Sequence, residues 1–155
     1  MGNEKDFTRL YLNLDLINKR AADIRKALQL LAQYATIQEE DFLADETILA
    51  AAKYQLLVAI EAAQAICNHL AARVARKAPT SYAECFLLLT QSSVITRELA
   101  TRLAVMAKFR NLLVHQYADI DNKQVYAIIN HELGDLEDYV AQIARFVNGV
   151  LEHER

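Results

Sequence analysis

Between Phe7 and Leu31, apolar residues recur in alternating steps of three and four: Phe7, Leu10, Leu14, Ile17, Ala21, Ile24, Leu28 and Leu31. A strand changes face at every residue, so this spacing cannot line one side of a strand. It lays a continuous stripe along one side of an α-helix. A second stripe runs through Leu49, Ala52, Leu56, Ala59, Ala63, Ile66 and Leu70. A third runs through Val125, Ile129, Leu133, Leu136, Val140, Ile143, Val147 and Val150. With three Gly and one Pro in 155 residues, little interrupts these runs. The pattern predicts an all-α chain.

The first stripe predicts a helix from about residue 5 to about 34, with Asp15, Lys19, Asp23 and Lys26 on its wet face. ATIQEEDFLADE at 35–46 concentrates acid and reads as a connection with one irregular turn. Asp45 is placed to cap the next helix, and Glu46 suits its dipole. That helix is predicted from about 46 to about 77. Leu57, Ile60, Cys67 and Val74 widen its apolar arc, which makes it central, touching several neighbours or a second subunit. Its basic end, Arg73, Arg76 and Lys77, compensates the dipole on the plainer reading and forms a phosphate-attracting rim on the sharper one. After Pro79, Ser81 and Glu84 have capping-box spacing, with Glu84 reaching the Ser81 amide. A short helix follows at about 82–91, with Phe86, Leu87, Leu88 and Leu89 as its core.

The next predicted helix, about 96–115, turns Leu99, Leu103, Met106, Ala107, Leu113 and Val114 inward. It carries Arg97, Arg102, Lys108 and Arg110 against a single acid, Glu98, so an anion is expected to dock here. Asp121 and Gln124 repeat the capping-box spacing and open a last helix to about 152, with a kink expected at Gly134. The expected fold is an up-down bundle of four long helices and one short one, forming a single domain over residues 1–155.

Several function classes fall away. No apolar run approaches the roughly 20 residues needed to span a bilayer, and the charged start MGNEKDFTR has no secretory h-region, so a cytoplasmic protein is expected. Cys67 and Cys85 sit in apolar helical patterns and read as buried reduced thiols. The net charge of −3 argues against holding nucleic acid by bulk charge. His69, His115, His131 and His153 are too dispersed for a zinc site, and neither a di-iron motif nor a phosphate-binding glycine loop is present. No metal and no cofactor is expected. His69, His131 and His153 read as structural, as do Tyr11, Tyr34, Tyr54, Tyr82, Tyr126 and Tyr139.

One stretch stands apart: RNLLVHQY at 110–117 closes the basic helix with Arg110, Asn111, His115 and Tyr117. An arginine can stabilise charge on phosphoryl oxygens with its bidentate fork, and a histidine can move protons near neutral pH. RNA carries its own nucleophile, the 2′-hydroxyl, so this pair suffices for phosphodiester cleavage to a cyclic phosphate and a 5′-hydroxyl. Asn111 is a hydrogen-bonding neighbour. However, five residues turn an ideal helix through roughly 140° beyond a full turn, so Arg110 and His115 do not share a face. Either the helix distorts near 115, or a second copy completes the site. On periodicity alone, both residues also read as dipole partners or carbonyl caps at a helix end.

FRNLLVHQY resembles the R-x4-H-x-Y signature of the HEPN superfamily, and in particular its HepT toxin branch. AIEAAQAICNHLAAR, PTSYAECFLLL and MAKFRNLLVHQYADID resemble that branch in the same order, from about residue 5 to about 150. The resemblance implies a dimeric, metal-independent endoribonuclease, the toxin of a toxin–antitoxin pair, acting on tRNA or mRNA. It assigns catalysis to Arg110 and His115 and substrate positioning to Asn111. It makes Tyr117 the acceptor of AMP from a minimal nucleotidyltransferase antitoxin. The competing expectation is a non-catalytic HEPN module that only binds such a partner or a nucleotide.

Overall fold

The computed structural model describes residues 11–153. Among them are four long helices: α1 (Leu14–Ala35), α3 (Glu46–Leu70), α5 (Arg97–His115) and α7 (Leu133–His153). Three short ones lie between: α2 (Glu39–Ala44), α4 (Tyr82–Gln91) and α6 (Asn122–His131). The all-helical expectation and its four long helices hold. The expected single short helix becomes three, because the acidic connection folds into α2 and the last predicted helix divides into α6 and α7.

Helix α3 is the axis. It touches each of the other six helices, packing most extensively along α1. Leu56, Ala59, Ile66 and Leu70 on it are fully buried. Its alanines, including the buried Ala52, Ala59, Ala62 and Ala63, let neighbours approach closely. One of them, Ala63, accepts a buried hydrogen bond at its carbonyl from the Tyr139 hydroxyl of α7, at 2.9 Å. Phe86 of α4 meets the Tyr139 ring edge-on at 5.8 Å, so α3, α4 and α7 share one contact. Cys67 and Cys85 are free and buried there. Burial and the neighbouring Cys85 thiol push the Cys67 thiol up, which keeps it unreactive.

Several boundaries differ from the periodic reading. Helix α1 starts at Leu14 rather than near residue 5. Asn13 is its N-cap: the side chain accepts from the Leu16 amide at 3.1 Å, and its own amide donates to His69 Nε2 at 2.9 Å. Phe7 and Leu10 lie outside the described residues. Asp45 caps α3 as expected, accepting from the Thr47 and Ile48 amides. At its far end α3 widens into a π-helical turn, Ala71–Ala75, and stops at Arg76, whose φ of 50° is left-handed. Ser81 caps α4, but Glu84 reaches back to the Thr80 amide and hydroxyl rather than to the Ser81 amide. In α4, Cys85 is buried, while Leu87 points outward. The break in the last predicted helix falls at Glu132, two residues before Gly134. There the Glu132 amide still donates to Ile128, while the Asp135 amide turns to the Glu132 carbonyl.

Candidate active site at the end of helix α5

Phe109 and Leu113 are buried and anchor the last turns of α5. The residues between and beyond them therefore face out in fixed directions. Arg110 turns toward α3 and α4. Its Nε donates to Glu61 Oε1 at 2.5 Å, and its guanidinium carbon lies 4.6 Å from the centre of the Tyr82 ring. The Tyr82 hydroxyl donates to Glu61 Oε2 at 3.0 Å, closing a triangle of Arg110, Glu61 and Tyr82. Capping by Ser81 places Tyr82 as the first residue of α4, where its ring reaches across to α5. Burial, then the Glu61 carboxylate, push the Tyr82 hydroxyl up, so it stays protonated and remains a donor. Arg110 Nη1 reaches Asn111 Oδ1 at 3.3 Å. Glu61 engages the guanidinium through Nε, and a guanidinium carries further N–H donors for a second acceptor.

His115 is the last residue of α5 and is exposed. The helix stays α-helical through it, and the Gln116 amide closes the final turn on the Leu112 carbonyl at 2.9 Å. Helix α5 therefore does not distort, and Arg110 and His115 of one chain face different ways. Tyr117 opens a 3₁₀ turn, Tyr117–Asp119, and is 47% exposed. The Lys53 ammonium of α3 lies 4.6 Å over the centre of its ring.

Not all of the basic face of α5 is free. Arg102 pairs with Asp135 of α7 at 2.8 Å, and Arg110 pairs with Glu61. Val114, expected inside, is 41% exposed. The structure thus brings together Arg110 and Asn111, and separately Tyr117 and Lys53. Glu61, Tyr82 and Lys53 were not singled out by sequence. Lys53 and Glu61 are the charged residues within the otherwise apolar centre of α3, and that position was the signal available.

Residues 24–143 match the family described as ribonuclease HepT-like. The chain belongs to the HepT-like family. It is 31% identical to the tRNA nuclease HepT of Aphanizomenon flos-aquae over 136 residues, covering 85% of this chain and 90% of that protein. It is 28% identical to the mRNA nuclease HepT of Shewanella oneidensis over 130 residues, covering 81% of this chain and 94% of that one. Its HepT-like fold is also close to the tri-AMPylated HEPN toxin of Shewanella oneidensis solved in complex with MNT antitoxin. That match has a TM-score of 0.78 at 27% identity and covers 84% of this chain and 98% of the toxin. Among the described residues, no helix is long and apolar enough to cross a membrane.

Proposed function

We propose that this HepT-like chain is a ribonuclease toxin, cleaving tRNA or mRNA without a metal ion and held in check by a nucleotidyltransferase antitoxin. The observation that carries the reading is the Arg110 guanidinium, fixed between Glu61 and Tyr82 on the helix that ends at the exposed His115. A fixed guanidinium stabilises the charge that builds on phosphoryl oxygens at little reorganisation cost. Asn111 helps position the substrate. His115 moves protons between the reacting oxygens. The 2′-oxygen attacks phosphorus, the bond to the 5′-oxygen breaks, and the 2′-hydroxyl proton is delivered to the leaving group. The products are a cyclic phosphate and a 5′-hydroxyl.

The undistorted end of α5 supports a two-fold dimer, in which Arg110 of one copy works with His115 of the other. Tyr117, exposed next to this helix end, is the AMP acceptor. A bulky anionic adduct there obstructs the phosphate path. The test is cleavage of total RNA by purified protein in EDTA, beside His115→Ala of unchanged helicity. Cleavage by the parent and none by the variant is the expected result. Cleavage that survives the substitution removes His115 from catalysis. Cleavage abolished by EDTA removes the metal-free chemistry. A parent that never cleaves RNA but binds its transferase identifies the chain as a non-catalytic module.

A further inference from the structure

Lys53 is an unusual residue for the middle of a central helix. It is only 8% exposed. The ion pairs among the described residues are Lys19–Asp23, Arg20–Asp23, Arg102–Asp135 and Arg110–Glu61, so Lys53 has no carboxylate partner among them. Its contact is the face of the Tyr117 ring, 4.6 Å from the centroid. A buried stem with an unpaired ammonium is costly unless the charge does something. The ring above it is 47% exposed. One face is taken by the cation.

Helices α3 and α5 run antiparallel at this point, because Arg110 meets Glu61 while Tyr117, further along, meets Lys53, which is earlier on α3. Eight helical residues separate Lys53 from Glu61, a rise of about 12 Å. A guanidinium that fits a phosphate and a cation-backed aromatic ring are thus held about that far apart by one rigid helix. Proteins that grip single-stranded nucleic acid use this combination of backbone cations and aromatic platforms.

We infer that Tyr117 and Lys53 form a nucleobase-stacking subsite that selects unpaired RNA. The unmodified tyrosine is then a substrate contact as well as a modification point. A base inside a duplex is already stacked on both faces and cannot lie on Tyr117, so the substrate class is single-stranded RNA or a loop. The ammonium beneath the ring holds its orientation and adds positive charge to the platform, which favours a strand with an anionic backbone. A nucleotide attached at the Tyr117 oxygen occupies the same subsite, which explains why a modification there excludes substrate.

This inference rests on the ribonuclease reading, and the test separates the two. On a His115→Ala background, which removes turnover, binding of a fluorescent unstructured oligoribonucleotide is measured by anisotropy and compared with the same strand in a duplex. The single strand is expected to bind more tightly. Tyr117→Ala, added to that background, is expected to weaken single-strand binding about 5- to 150-fold. Tyr117→Phe restores it, because the ring and not the hydroxyl does the stacking. Lys53→Gln weakens binding, and Lys53→Arg recovers it. A merely structural lysine would lower the melting temperature of the Gln variant without changing the preference for single strands. Unchanged affinity in Tyr117→Ala, or equal binding of duplex and single strand, overturns the subsite, while cleavage by the parent enzyme leaves the ribonuclease reading intact. No RNA binding by the background protein and no cleavage by the parent overturn both.

Discussion

Glu61→Gln isolates what the Arg110–Glu61–Tyr82 triangle does. Glutamine keeps an oxygen to accept from Arg110 or Tyr82 but removes the charge that orders both. The Arg110 side chain is 20% exposed and that of Glu61 is 40% exposed. The pair is neither fully wet nor dry, and solvent screening holds its contribution to about 1 kcal/mol. For a chain of this length, that lowers the melting temperature by about 2–4 °C. Catalysis should respond much more strongly, by two opposed routes. Losing the carboxylate leaves Arg110 with more uncompensated charge, so RNA binds as well or better. Losing the anchor frees the guanidinium to wander, and misplacement by about 1 Å can cost on the order of 100-fold in rate. The second effect falls on the transition state alone, so kcat should drop at least about 10-fold while KM stays level or falls. Steady-state cleavage of a fluorogenic RNA, alongside thermal denaturation, gives both numbers. An unchanged or raised kcat would refute the positioning role. A melting temperature lowered by more than about 10 °C would show instead that the triangle is structural.

Two further outcomes test the scaffold. Burial, then the nearby Arg73 charge, push His69 below its ordinary value of 6.5, and its Nε2 accepts the Asn13 amide, so the fold requires the neutral ring. Below 6.5 the unfolded chain therefore binds the proton more readily than the folded one, and the stability His69 contributes at neutral pH is lost as pH falls toward its folded value. His69→Gln, whose amide oxygen still accepts from Asn13, should flatten the fall in melting temperature between neutral and mildly acidic pH; an identical pH profile would show that His69 does not carry it. Gly134→Ala should stabilise the protein by about 0.5–1 kcal/mol, because a Cβ there meets nothing within 4 Å and the glycine does not use positive φ. A lower melting temperature in that variant would mean the start of α7 needs the glycine.

The apolar stripes made the long helices and the central place of α3 legible, because burial on a helix leaves a period that sequence records. Ends were less legible, since they depend on which side chain wins a backbone group. Asn13 begins α1 with its side-chain cap, and its amide is held by His69, 56 residues away, a pairing that no local pattern carries. The stripe through Val125 to Val150 runs across Glu132 without a break in its spacing, so periodicity alone could not show that the helix divides there. Gly134 drew attention by its residue type, yet the chain turns before it. In the candidate site, RNLLVHQY was conspicuous, whereas its supports were not. Tyr82 read as a boundary aromatic because its partners, Glu61 and Arg110, lie 21 positions before it and 28 after it.

The spacing of Arg110 and His115 left two possibilities: a distorted helix or a second copy. Helix α5 stays regular to His115, with Phe109 and Leu113 buried beneath it, so bending it to unite the two residues would pull both anchors from the core. Each fully buried side chain of that size contributes about 1.5–3 kcal/mol. Losing two would consume a large part of a domain's usual stability of about 5–15 kcal/mol. Adding a second copy costs the core nothing. The same anchors that turn Arg110 toward Glu61 thus turn His115 away from it, and the packing that makes one chain rigid is what makes it, on our reading, half of a site.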